Sequence, residues 1–206
     1  MKKSNSHQQT VRLVQIALMA AIVVVIQLFF AAVKIGPVTI AFSLVPIVLT
    51  GIFIGPFAGL IVGAISGIVT FIQVLTSPDV FYVFLISTNP WATALICFAK
   101  ATFAGWLPGV AHKATKDFIK EPALNSILPS IICPVVNTGI FCLGMFVFFT
   151  DALKSDATFG AAASDNIIYF VIVVLALANF ILELISTVVI TPIISKALTA
   201  AKVFKK

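Results

Sequence analysis

Charge is scarce in this chain. Of its 206 residues only 10% are Asp, Glu, Lys or Arg, while 61% are hydrophobic. Soluble domains average about 25% charged and roughly 45–50% apolar. The balance excludes an ordinary soluble domain and points to an integral membrane protein, read as one domain over 1–206. Histidine is nearly missing too: His7 lies in the polar N-terminal tail and His112 at the end of an apolar run. No buried Ser-His pair, no His-Glu-x-x-His and no carboxylate cluster is visible for proteolysis or metal binding. No Gly-x-x-x-x-Gly-Lys-Ser/Thr loop is present for nucleotide, so the energy of any active transport comes from elsewhere. Cys97, Cys133 and Cys142 sit inside apolar runs without a Cys-x-x-Cys pair. They read as small buried hydrophobes. Neither metal nor cofactor is expected.

What is present is apolar sequence punctuated by Gly, Pro and charge. Six spans are predicted, over 11–32, 38–54, 57–75, 91–111, 124–149 and 166–198. The first run of about 20 residues is long enough to cross a bilayer core. It has no clear small-x-small cleavage site, and is read as a retained helix. Gly55-Pro56 forms a tight turn between the second and third spans. Pro46, Pro108, Pro129, Pro134 and Pro192 lie within spans, where neighbouring helices satisfy the freed backbone groups.

Basic residues cluster at Lys2, Lys3 and Arg12, at Lys113, Lys116 and Lys120, and at Lys196, Lys202, Lys205 and Lys206. Six spans put all three clusters on one side. The other side holds Lys34, Lys154 and the acids Asp79, Asp151, Asp156 and Asp165. The positive-inside rule then makes both termini cytoplasmic and the protein a multi-pass cell-membrane protein. The net charge of +6 is a topology signal with room for anionic lipid contact. It is no nucleic-acid surface, because no basic face interleaved with aromatics exists. The outer connections 31–39, 76–90 and 150–165 are read as a lid over an outward pocket, by analogy with other lids.

Two ionisable residues lie deep in apolar runs: Lys100 in the fourth span and Glu183 in the sixth. Each costs about 2.5–3.5 kcal/mol on insertion scales, so each faces a cavity, a partner charge or a ligand. Lys100 is either a partner for Glu183, or a snorkelling lysine, or a cationic anchor for an anionic ligand group. Asn179 precedes Glu183 by four positions and shares its helix face. The pair is a polar stripe for a ligand, or a bond to a facing helix. Asn137, beside Pro134, offers both donor and acceptor. Gln73, Asn89 and Trp91 flank the outer mouth, Trp91 equally suiting an interfacial belt. Ala17 and Ala21, with Ala20 beside them, form a small-x-x-x-small surface on the first span. Gly59, Gly63 and Gly67 repeat that spacing on the third. Four readings stay open: a binding subunit of an importer, a stand-alone secondary permease, a membrane enzyme with Lys100 and Glu183 as acid and base, and a packing subunit without ligand.

Several segments in this order resemble the substrate-binding subunit (S component) of energy-coupling factor vitamin transporters. They are Ala17–Ala21, Ile54–Gly59, Asn89-Pro90-Trp91 leading to Lys100–Gly105, Pro134–Gly139, and Asn179–Glu183 followed by Pro192. The resemblance covers nearly the whole chain. It implies an all-α six-helix bundle with a vitamin pocket near the outer face and no catalysis by this chain. It further implies that the Ala17, Ala20, Ala21 surface meets a membrane coupling subunit, which two cytosolic ATPases power. The S component is expected to topple in the membrane to deliver its cargo. The Pro134–Gly139 segment and the basic residue in the fourth span are most similar to the pantothenate branch. On that reading Gln73, Asn89, Trp91, Lys100, Asn137, Asn179 and Glu183 bind the vitamin. Lys100 pairs the pantothenate carboxylate, and Asn137 and Asn179 bond its hydroxyl and amide groups. A lysine stands where a forked arginine would suit bidentate capture. Folate, a cobalamin precursor, pyridoxine and a queuosine precursor are therefore alternatives.

Overall fold

The computed structural model describes residues 2–30, 34–35, 38–39, 42–77 and 79–201. The basic residues Lys202, Lys205 and Lys206 and the last two residues of the first expected span lie outside them. The chain forms α1 (Lys2–Phe30), β1 (Lys34–Ile35), β2 (Val38–Thr39), α2 (Leu44–Phe53) and α3 (Pro56–Thr76). It continues through α4 (Val80–Thr88), α5 (Pro90–Thr115), α6 (Pro122–Phe148), α7 (Thr150–Ser155) and α8 (Gly160–Asp165). Last comes one long helix built of α9 (Ile167–Tyr169), a π-helical stretch Phe170–Leu177 and α10 (Ala178–Ala200). Among the described residues five helices are long and apolar enough to cross a membrane: His7–Phe30, Pro56–Thr76, Pro90–Thr115, Pro122–Phe148 and Ile167–Ala200.

The expected span 38–54 is different. Its helix is the ten-residue α2, about 15 Å long at 1.5 Å per residue against a hydrocarbon core of about 30 Å. Part of the stretch ahead of it is spent in a small antiparallel pairing, Lys34 with Thr39 and Ile35 with Val38. The expected outer connections are also more ordered than loops. Residues 76–90 hold α4, begun by the Asp79 carboxylate accepting from the Phe81 N–H at 3.0 Å, a standard N-cap. Residues 150–165 hold α7 and α8.

Gly55 explains the reversal between α2 and α3. Its φ of 125° is open to glycine and strained for other residues, and Pro56 then starts α3 at a position where its missing N–H costs nothing. α3 returns parallel to α1. At one end Gly55 faces the Arg12 guanidinium; at the other Gln27 meets Thr70 and Gln73. α5 runs antiparallel to α3 through a line of small residues. A Cβ on Gly59 would strike the Gly105 carbonyl, one on Gly63 the Ala101 carbonyl, and one on Gly109 would lie 2.7 Å from Pro56 Cα. Lipid tails are as apolar as leucine, so helices in a bilayer associate by packing, and glycine lets the backbones close in.

α6 runs antiparallel to α5. Asn125 meets Thr115 near one end, and Ile96 fills the space over Gly144 near the other. α10 descends along α6, with Thr187 Oγ1 donating to the Ser130 carbonyl at 2.9 Å and Ser195 Oγ to the Pro122 carbonyl at 3.3 Å. One end of the bundle therefore gathers exposed Arg12, Lys113, Lys116, Lys120 and Lys196. The other gathers Asp79, Asp151, Asp156 and Asp165, with Lys154.

Two apolar clusters fill the bundle. Toward the basic end Met19, Val23, Ile47, Val48, Val62, Ala104 and Cys133 pack together. Toward the acidic end the cluster is aromatic: Phe81, Phe84, Phe149 and Phe170 with Phe159 against them. Phe159 meets Phe81 and Phe84 edge-on at 5.9 and 5.5 Å, so α4 and the α7–α8 segment close that end of the bundle with interlocked rings.

Candidate functional site

Between the two clusters lies a cavity of about 60 Å³, lined by α1, α2, α3, α4, α5, α6 and α10. Its polar wall consists of Gln27, Ser43, Ser66, Thr70, Gln73, Tyr82, Lys100, Asn137 and Glu183. A second space of about 30 Å³ adjoins it and shares Thr70, Val74, Tyr82 and Lys100. A water occupies about 30 Å³ in the liquid, so these spaces have the size of a few waters.

Glu183 is completely buried and is held from two helices. Asn137 Nδ2 on α6 donates to Oε2 at 3.1 Å, and Asn179 Nδ2, one turn earlier on α10, donates to Oε1 at 2.9 Å. The π-helical stretch ends immediately before Ala178, and such widened turns reset the register of the helix that follows. One turn further along α10, Ser186 and Thr187 both donate to the Glu183 carbonyl, at 2.9 and 2.8 Å.

Lys100 lines both spaces. Its ammonium stands 5.6 Å from the centroid of the Phe141 ring, a cation–π distance. Among the described residues it forms no ion pair. Lys100 and Glu183 thus line one cavity, the ammonium near the Phe141 ring and the carboxylate accepting from Asn137 and Asn179.

The remaining expected residues divide by position. Gln73 lines the cavity while its Nε2 donates to the Gln27 carbonyl at 2.9 Å. Asn179 reaches the cavity only through Glu183. Asn89 starts α5, its side chain accepting from the Ala92 N–H at 3.0 Å, and this capping role draws it away from the cavity wall. Trp91 is 85% exposed at the acidic end of the bundle, the position of a membrane-interface ring. On α1, Ala17 and Ala21 are exposed, whereas Ala20 faces inward at 8% exposure.

Sequence reasoning missed Gln27, Ser43, Ser66, Thr70 and Tyr82. Gln27 carried a signal: it is the last polar residue of an otherwise apolar run, and amides in spans are expensive unless satisfied. Ser66, Thr70 and Gln73 carried another, three polar side chains spaced by four and three along α3, hence on one face. Tyr82 stood in the connection 76–90, read as a loop, and Ser43 inside the expected span 38–54.

A chain that is helical over nearly all of its described residues, with five helices among them long and apolar enough to cross a membrane, is a multi-pass membrane protein. The family model for the ECF transporter substrate-specific component matches residues 11–195, and the chain belongs to that family. No curated protein matches the sequence.

Proposed function

We propose that the protein is the substrate-binding membrane subunit of an ATP-driven vitamin importer in the cell membrane, with pantothenate as its cargo. It is not an enzyme on this reading: it captures and presents. The observation that carries the proposal is the shared cavity wall of Lys100, Glu183, Asn137 and Gln73 inside an apolar bundle. An ammonium that forms no ion pair among the described residues suits the carboxylate of a cargo, and a charge-assisted bond is worth about 1.5–3 kcal/mol. The amide and carboxylate groups opposite suit the hydroxyls and amide at the other end.

Six crossings with both termini cytoplasmic follow on the same proposal. α1, α2, α3, α5, α6 and the last helix alternate in direction, and α2 counts as the second crossing on this proposal. The exposed Arg12, Lys113, Lys116, Lys120 and Lys196 at one end support the cytoplasmic placement. Cargo then enters from the end closed by α4, α7 and α8.

Coupling is proposed to use the outward face of α1. Ala17 and Ala21 lie there with Leu18 and Val25 exposed around them, so a partner helix can approach closely. That partner is a membrane coupling subunit, driven by two cytosolic ATPases. Ala20 supports the bundle from behind.

Reconstitution tests the proposal. The purified chain in liposomes should bind pantothenate but accumulate none, under an ion gradient or without one. Adding the coupling subunit and ATPases with ATP should give concentrative uptake. Accumulation by the chain alone under an ion gradient would make it a secondary permease.

A further inference from the structure

Gln27 is satisfied on one side only. Its Nε2 donates to Thr70 Oγ1 at 3.0 Å and to the Ser66 carbonyl at 3.3 Å, tying α1 to α3. Its Oε1 is buried, and no group among the described residues hydrogen-bonds it. Ser43, 1% exposed at the start of α2, repeats the situation: its Oγ is buried and has no hydrogen-bond partner among the described residues. Both residues line the cavity that contains Lys100 and Glu183. Buried polar atoms in native proteins are overwhelmingly paired, and each exception calls for an explanation. Two exceptions on one wall of one polar cavity have a common explanation in a ligand.

We propose that Gln27 and Ser43 form the edge of the cargo site that reads hydrogen-bond donors. An amide oxygen only accepts, so Gln27 Oε1 takes an O–H or N–H from the cargo. The Ser43 hydroxyl, which lines the same cavity, accepts a second donor or gives its own proton to a cargo oxygen. The inference rests on the reading that this cavity holds cargo and that Lys100 takes its anionic end. It narrows the cargo to a class: a small carboxylate whose far end carries at least one hydroxyl or amide donor. A carboxylate with a purely apolar or ether-capped far end leaves Gln27 Oε1 unpaired in the complex. Sites built to bond a hydroxyl discriminate strongly against analogues that lack it, because the site's own polar group is then stranded.

The test is a variant-by-analogue cycle on the purified full-length chain in detergent. Binding of radiolabelled pantothenate is compared with that of its analogue methylated at both hydroxyls and at the amide nitrogen, which keeps the carboxylate and carries no O–H or N–H donor, in wild type, Gln27→Leu, Gln27→Glu, Ser43→Ala and Lys100→Met. Wild type should prefer pantothenate by about tenfold or more. Gln27→Leu should lose that preference, weakening pantothenate and leaving the analogue nearly as it was. Gln27→Glu, which keeps an acceptor and loses the donors to α3, should lose less than Gln27→Leu. If Gln27→Leu gives no monodisperse protein, Ser43→Ala decides by the same comparison, since no bond of the fold depends on its hydroxyl. Equal weakening of both compounds in these variants would overturn the inference and leave the cargo reading intact, provided Lys100→Met still abolishes binding. A wild-type chain that binds neither compound, or binding indifferent to Lys100→Met, would overturn both.

Discussion

Asn137 and Glu183 bridge α6 and α10 by a 3.1 Å hydrogen bond at the centre of the bundle. It is a side-chain bond spanning 46 positions of sequence, and it fixes the carboxylate against the cavity. Interhelical hydrogen bonds in membranes are worth about 0.6 kcal/mol on average and up to about 1.7. A fully buried carboxylate acceptor puts this one near the upper value. Asn137→Leu should therefore lower the melting temperature in detergent by an amount equivalent to about 1–2 kcal/mol. Glu183→Leu should cost more, since it strands the amides of both Asn137 and Asn179. Unchanged melting in Asn137→Leu would show that the bond adds nothing to the fold.

Lys100 should matter for binding and little for folding. Its ammonium faces an aromatic ring and the cavity. Lys100→Met keeps the apolar stem and removes the charge. Pantothenate affinity is expected to fall tenfold or more, equivalent to about 1.5–3 kcal/mol, with the melting temperature held or raised. Equilibrium dialysis with a carboxylate-free analogue supplies the contrast, because its binding should be indifferent to the substitution.

The glycines divide into two kinds. Gly105 sits where a Cβ would enter the Gly59 carbonyl, and backbone cannot step aside as a side chain would. Gly105→Val should cost more than the about 1–3 kcal/mol typical of overpacking, and should abolish monodisperse protein on size exclusion. Gly139 is the opposite: a Cβ there meets nothing within 4 Å, inside helix α6. Gly139→Ala should raise stability by about 0.5–1 kcal/mol through helix propensity.

The alanines on α1 divide likewise. Ala17→Trp adds bulk to an exposed face, so binding should survive while ATP-dependent uptake is lost. Ala20→Trp pushes into the packed cluster of Met19, Val23 and Ile47, so it should reduce folded protein before any transport is measured. Uptake that survives Ala17→Trp would move the coupling face elsewhere.

Much of the bundle was legible in the sequence because apolar length is a direct consequence of bilayer thickness. The ranges 57–75, 91–111, 124–149 and 166–198 lie within a few residues of α3, α5, α6 and the last helix. The stretch 38–54 was less legible: its apolar content reads the same whether it is wound as one span or as a short pairing followed by ten helical residues. Asp79 read as outer-loop polarity and Asn89 as a binding residue at the outer mouth, yet both are helix caps, and only the backbone reveals which N–H they accept from. Lys100, Asn137 and Glu183 were visible because charge and amide are costly in apolar runs. Gln27 and Ser43 became visible only when three-dimensional packing left their oxygens unpaired.

The account stands or falls on whether the cavity beside Lys100 and Glu183 holds a small carboxylate. Mass spectrometry of the molecule that co-purifies with the detergent-solubilised chain, run in parallel on Lys100→Met, reads this directly. Wild type should carry close to one equivalent of a small hydroxylated carboxylate, pantothenate by this account, and Lys100→Met should carry none. A cargo without a carboxylate, or the same cargo at equal occupancy in both proteins, would contradict it.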